Sequence, residues 1–268
     1  MVELPRLEDG VCPVVVIIFG RRGVGKTTLL AALAPELAPA EKSVIVSPIP
    51  TLKTRLPNVE WFQISAMRKD EIEKLFAKWR KEGRHLMVLA DEGDELTGAG
   101  PAGYAGGFIA PSVYDWINYQ REFGGGIALS TRRHSNVARD TTANANLVFI
   151  GNTNDPGSLK FYEAWLSDPT DDVDYIRVVR VLPDRVFLVW QPQTTPKFGG
   201  FVTVDQGRIR RWDPSELRES TRSAITDPDA SSTNDTLSTG SDASGPDAGK
   251  PSPIAPGPSI APTTTKKE

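Results

Sequence analysis

Short apolar runs alternate along the chain with segments whose apolar positions recur every three to four residues. Val14 to Phe19 is β-branched and apolar throughout, and long enough for a buried parallel strand. Thr28 to Leu37 reads as a helix with few breakers. "KSVIVSP" and "VEWFQIS" read as the next two strands. In "KDEIEKLFAKWRKEG", Ile72, Leu75, Phe76 and Trp79 fall at i, i+3, i+4 and i+7, one face of a helix. Asp70 and Glu71 occupy its first turn and Gly83 follows its end. "HLMVLADE" is a buried strand ending in two acids, and Gly98 to Gly107 reads as a glycine-rich loop. Ser112 is placed to cap a helix running through Phe123. "GIALS" and "NLVFIGN" are further strands, and "DPGSLKFYEAWLSD" a short helix. Such alternation predicts an α/β fold with a mostly parallel sheet flanked by helices.

The pattern then changes. "DYIRVVRVLPDRVFLVWQPQ" reads as two strands around a Pro183-Asp184 turn, and "FVTVDQGRIRRW" as a second pair around Gln206-Gly207. Residues 1–175 therefore read as the core, 176–212 as a β-hairpin extension of it, and 213–268 as a tail. The tail is rich in Ser, Thr, Pro and Asp and almost without aromatics. Such a composition buries too little apolar surface to fold, so residues 220–268 are expected to be disordered.

Charge follows the same division. The chain of 268 residues carries a net −3. From Asp213 onward nine acidic residues face five basic ones, and residues 1–212 come to +1. The body is not strongly basic, so a nucleic-acid role needs a local patch. One exists between Arg177 and Arg211. Arg177, Arg180, Arg185, Lys197, Arg208, Arg210 and Arg211 stand there against Asp184 and Asp205. Such a patch suits phosphates, and equally a solvated strand face or a subunit contact. Cys12 is the only cysteine, which leaves no disulfide framework or cysteine metal cluster and suits a reducing compartment. The acidic N-terminus and the short apolar run after it read as neither a signal peptide nor a membrane span.

Candidate chemistry begins at "GRRGVGKTT", residues 20–28. Gly20, Gly25, Lys26 and Thr27 fit the spacing of a phosphate-binding loop between strand and helix. The glycines let backbone N–H groups turn inward around the β-phosphate, and the helix N-terminus adds partial positive charge. Gly20, Arg21, Arg22, Gly23, Val24, Gly25, Lys26, Thr27 and Thr28 are the candidate nucleotide-binding residues. Lys26 is placed to reach the β- and γ-phosphates, and the Thr27 hydroxyl to bind Mg²⁺. Asp91 ends a buried strand beside this loop, where a carboxylate holds the Mg²⁺ shell. Glu92, one residue on, is placed to polarise water in line with the γ-phosphate. A guanine switch would show Asp-x-x-Gly here and Asn-Lys-x-Asp elsewhere. Position 94 is Asp and the second motif is absent. The acid pair favours ATP hydrolysis by water.

A third block, "NYQREFGGGIALSTRRHSNVARDTTANANLVFI", ends a strand in Ser130, Thr131, Arg132 and Arg133. Ser130 or Thr131 is a candidate γ-phosphate sensor, and Arg132 or Arg133 a candidate to reach that phosphate. Arg121 lies where a subunit edge would offer it to a neighbour. His85 and His134 lack metal-ligand partners at useful spacing. Trp61, Trp79 and Trp165 read as core.

The order of phosphate loop, "LMVLADE", "REFGGGIALSTRR" and "NANLVFIGN" resembles the FtsK–HerA superfamily of DNA-pumping ATPases. It is most similar to the branch that packages genomes of membrane-containing double-stranded DNA viruses and related phages. The resemblance covers roughly residues 12–190. It implies a RecA/ASCE-like P-loop NTPase fold, ATP and Mg²⁺ as ligands, and a hexameric ring around double-stranded DNA. It places nucleotide and Mg²⁺ on Lys26 and Thr27, and the metal and water acids at Asp91 and Glu92. Arg121 falls at the position of an arginine finger acting in trans. Thr131 and Arg132 complete the catalytic set. The family's sensor Gln is replaced here by Ser130-Thr131. The expected setting is virion or host cytoplasm, with a capsid or portal-vertex protein as a partner of the tail. Two other readings are a zonular-occludens-toxin-like phage assembly or export ATPase, and a nucleotide-binding scaffold without turnover. The first usually carries a membrane span, and the acid pair argues against the second.

Overall fold

The computed structural model describes residues 8, 10–97, 109–119, 122, 124–166, 173–213 and 215. The expected glycine-rich loop, Gly98 to Gly107, lies wholly outside these residues, as do Arg121 and residues 216–268 of the tail. The strands are β1 Val15–Phe19, β2 Ser43–Ser47, β3 Glu60–Gln63, β4 Met87–Ala90, β5 Gly126–Thr131, β6 Leu147–Ile150, β7 Val186–Trp190, β8 Phe198–Asp205 and β9 Arg208–Arg211. The described helices of seven or more residues are α1 Lys26–Leu37, α2 Lys69–Lys81, α3 Pro111–Asn118, α4 Pro156–Trp165 and α5 Tyr175–Val181.

The described strands form one sheet in the order β3-β2-β4-β5-β1-β6-β7-β8-β9. β3 through β6 in that order are all parallel, and β7, β8 and β9 add on antiparallel. β5 is thus inserted between the strand that precedes the phosphate loop and the strand that ends in Asp91. β1 is buried on both faces, and its alternate residues feed two separate cores. Val15, Ile17 and Phe19 join one, with Phe76, Trp79, Trp116 and Tyr162. Val14, Val16 and Ile18 join the other, with Leu29, Leu30, Leu33 and Leu37 of α1. This double burial is why the run reads as continuously apolar rather than alternating. Trp79 is in the core, and Trp61 and Trp165 pack partly buried against it.

Two local expectations need correcting. Ser112 is not the cap of its helix. Ala110 takes that place with Pro111 in the first turn, and the helix ends at Asn118 rather than at Phe123. The Ser112 hydroxyl instead bonds Glu73 of α2, 3.0 Å from its carbonyl oxygen and 2.8 Å from Oε2, tying α2 to α3. Secondly, the segment expected as the first strand of the extension is the helix α5. The β-branched residues Ile176, Val178, Val179 and Val181 suggest a strand, yet each costs a helix only a few tenths of a kcal/mol. Against that, Tyr175, Val178, Val179 and Leu182 fall on one helical face and are buried, each worth about 1.5–3 kcal/mol. Asp174 adds an N-cap, its Oδ1 accepting from the backbone N–H groups of Ile176 and Arg177. Burial outweighs propensity. The β8–β9 hairpin, by contrast, turns at Gln206-Gly207 as expected, with φ of 47° and 76°.

Candidate functional site

The carboxyl ends of β1, β4, β5 and β6 lie on one edge of the sheet, and the N-terminal end of antiparallel β7 joins them there. The loop from Gly20 to Gly25 connects β1 to α1 at this edge. Gly25, at φ 96°, adopts a left-handed conformation that a side chain would strain. Crowding adds a second reason for glycine, since a Cβ there would come within 3.2 Å of Arg185 Cγ. Gly151, at the end of β6, is pinned between Val24 and Phe187, where a Cβ would meet carbon atoms of both at 2.9 Å. Loop, β6 and β7 are therefore packed directly on one another.

Lys26 opens α1 and is 8% exposed. Its ammonium donates to the carbonyls of Gly20 at 2.9 Å and Arg21 at 3.1 Å. Burial lowers its pKa, and the carboxylates of Glu92 and Asp91 oppose that shift. Thr27 and Thr28 follow in the first turn. Thr27 Oγ1 lies 3.0 Å from Asp91 Oδ2 and 3.2 Å from Oδ1. Ser130 Oγ donates to Asp91 Oδ1 at 2.6 Å from within the sheet. Asp91 is only 4% exposed, and these two hydroxyls supply hydrogen bonds that water would otherwise make, with the Lys26 ammonium as a nearby opposite charge.

Next to it, Glu92 adopts φ 56°, a left-handed conformation that costs a non-glycine residue about 1–2 kcal/mol. The turn is held by the Gly93 N–H, which donates to the Ser130 carbonyl at 2.7 Å. Glu92 pairs with Arg132, Oε1 to Nη2 at 2.9 Å. Asp94 accepts from Asn136 through Oδ2, while its Oδ1 is buried without a hydrogen-bond partner. Of the two hydroxyls left open by sequence, Ser130 faces Asp91. Thr131 is fully buried and its Oγ1 lies 3.4 Å from the Arg133 carbonyl oxygen. Arg133 approaches Asp155 at 3.5 Å.

These residues suit a magnesium nucleotide. Among the described residues no group of three or more His, Cys, Asp or Glu side chains could hold a metal alone. Magnesium does not require one. It is a hard ion that keeps waters and takes phosphate oxygens, and the Thr27 hydroxyl and Asp91 carboxylate are the hard-oxygen donors such a site needs.

The other flank of the loop brings Arg21 together with Arg185 and Asp184, a grouping that the sequence did not show. The Arg21 N–H donates to the Asn152 carbonyl at 3.0 Å, and the Arg185 N–H to the Val24 carbonyl at 2.9 Å. Arg185 itself is left-handed, at φ 68°. Arg21 also pairs with Asp184 at 2.9 Å. A non-glycine left-handed turn leaves little mark in sequence, although Pro183-Asp184 does mark the turn itself.

No described helix is long and apolar enough to cross a membrane. No curated protein sequence matches the chain significantly. Among solved structures, the genome packaging NTPase B204 of Sulfolobus turreted icosahedral virus 2 shares the fold. Its sulfate complex superposes with a TM-score of 0.54 at 18% identity, covering 75% of this chain and 97% of B204. Its ATPγS complex gives 0.51 at 17%, covering 75% and 98%. The N-terminal domain of zonular occludens toxin from Neisseria meningitidis gives 0.44 at 17%, covering 71% and 94%. The P-loop ATPase fold expected from the motifs is thus the fold found. The chain belongs to the ATPase family associated with various cellular activities (AAA), whose model matches residues 16–162, more than half its length.

Proposed function

We propose that this ATPase hydrolyses Mg²⁺-ATP to drive double-stranded DNA, and that it packages a viral genome as a hexameric ring. The observation that carries the hydrolytic part is the buried contact of Asp91 with Thr27 and Ser130, with Glu92 immediately beyond it. Thr27 and Asp91 would hold the magnesium ion, whose bound charge offsets that developing on the phosphates. Lys26 and the N–H groups of residues 20–28 bind the β- and γ-phosphates. Glu92 orients the attacking water. Arg132 and Thr131 line the same strand end, and Arg121, outside the described residues, serves a neighbouring subunit's site. The DNA part draws support from the fold shared with B204, described as a genome packaging NTPase. It draws further support from β9, whose Arg208, Arg210 and Arg211 are exposed on an edge strand. Residues 213–268 would contact a capsid or portal-vertex protein, in a virion or in host cytoplasm. Residues 1–175 act as the ATPase core and 176–212 as its extension.

The test is ATP turnover with and without double-stranded DNA, joined to displacement of a third strand from a DNA triplex. Stimulated turnover with displacement is expected. Turnover indifferent to DNA, without displacement, would reject the translocase while leaving the ATPase intact.

A further inference from the structure

The two flanks of the phosphate loop differ. The β4–β5 side carries the carboxylates of Asp91, Glu92 and Asp94, with Arg132 paired to Glu92, and the β6–β7 side carries the exposed Arg185 beside the Arg21–Asp184 pair. A nucleotide on the loop has a polarity to match. Its γ-phosphate end must lie by the acids that serve metal and water, so the chain of phosphates runs away from them across α1's N-terminus. Its α-phosphate and nucleoside therefore leave toward β6 and β7. The first protein they meet there is the turn 182–185 that leads into β7.

That turn is built against the loop. Its last residue, Arg185, bonds the Val24 carbonyl through its backbone N–H, and its side chain lies where a Cβ on Gly25 would point. Asn152, at the end of β6, fixes the turn from behind, its Nδ2 donating to the carbonyls of Arg180 and Leu182 at 2.9 Å each. The Arg21–Asp184 pair closes the outer edge. Arg185 keeps a left-handed backbone that a glycine would adopt at no cost. An exposed guanidinium carried on such a turn beside α1's first residues suits an anion at that point.

We propose that the turn 182–185 is the nucleoside-side wall of the nucleotide site, with Arg185 the residue that contacts the α-phosphate of a bound adenine nucleotide. Arg21 and Asp184 position it by pinning the loop to the turn. This rests on the nucleotide-binding reading above. Because the α-phosphate is common to ADP and ATP, Arg185 contributes equally to both and nothing to the hydrolytic step.

Arg185→Gly removes the side chain and suits the φ of 68°. Titration with fluorescent ADP and ATP analogues should show both dissociation constants raised by the same factor, about tenfold for one charge-assisted contact. Arg185→Gln, which keeps length and loses charge, should weaken both nucleotides in the same direction. Unchanged affinity for both nucleotides in either folded variant overturns the proposal, as does a loss confined to ATP. Wild-type protein and Lys26→Ala are titrated alongside. If the wild type binds neither nucleotide, the nucleotide-binding reading itself fails, a different result from a wild type that binds and an Arg185 variant that matches it.

Discussion

On one flank of the phosphate loop, Ser130 at 0% and Asp91 at 4% exposure lock together with Thr27. On the other, Arg21 and Asp184 pair at 53% and 58% side-chain exposure. Water screens the second pair, and such contacts contribute about 0–1 kcal/mol. The first set is shielded from water and relies on its two hydroxyls for hydrogen bonds, and breaking it leaves a penalty of about 1–3 kcal/mol. The comparison teaches a division of labour. In the proposed site, the Asp91 carboxylate assigned to the magnesium ion is buried and fixed, while the Arg21–Asp184 pair that pins the loop to the turn 182–185 is exposed.

The largest effect expected comes from neither flank. If Arg121 reaches a neighbour's γ-phosphate, Arg121→Ala should bind ATP yet lose about 10³–10⁵ in turnover, the weight of an arginine finger. Mixing Arg121→Ala with Glu92→Gln should restore part of the activity, because some interfaces then pair a working site with a working finger. A dead mixture in confirmed rings would exclude Arg121 as the trans residue. On the acidic flank, Glu92→Gln keeps shape and loses the charge that the proposed function assigns to polarising water. Turnover should fall at least ~10²-fold with ATP affinity nearly unchanged. Ser130→Ala strips Asp91 of one of its two hydroxyls. The magnesium concentration for half-maximal turnover should rise about tenfold, matching one hydrogen bond to a charged group.

Much of this was legible in sequence, and the misses share one cause. β1, the loop and the Asp91-Glu92 strand end are fixed by local runs, so spacing alone finds them. The α5 segment was misread because β-branched residues weigh locally toward a strand. The buried face of Tyr175, Val178, Val179 and Leu182 gains its energy only from the sheet it packs on. The choice between Ser130 and Thr131 was open for a similar reason. Side chains alternate along a strand, and which of two neighbours meets Asp91 depends on how β4 and β5 pair. Sequence names Arg185 only as a member of the Arg177–Arg211 basic patch, since its place beside Gly25 depends on β7 entering the sheet antiparallel next to β6.

Smaller effects lie away from both flanks. His134 stacks on Phe161, ring centroids 3.1 Å apart, and burial pulls its pKa down to about 4. The folded protein therefore binds fewer protons there than the unfolded chain, whose histidine titrates near 6.5. Its stabilising share is full above pH 6.5 and is lost as pH falls toward 4. His134→Phe keeps a ring on Phe161 and removes the proton site. Its melting temperature should fall less over that window than the wild type's, by about 2–4 °C once partial exposure is discounted. Deleting residues 220–268 is expected to do least, leaving the melting temperature and DNA-free turnover nearly unchanged, because so polar a composition contributes little packing.

Thr27 and Asp91 are 64 residues apart in the chain, and Asp91 and Ser130 are 39 apart. No fragment of the unfolded chain carries this arrangement, so a nucleotide that needs it binds only the native state. By mass action, free nucleotide at a hundred times its dissociation constant would then deepen the native well by about 2.7 kcal/mol. The cell's nucleotide supply would set how often the chain opens to proteases, as well as how fast the site turns over.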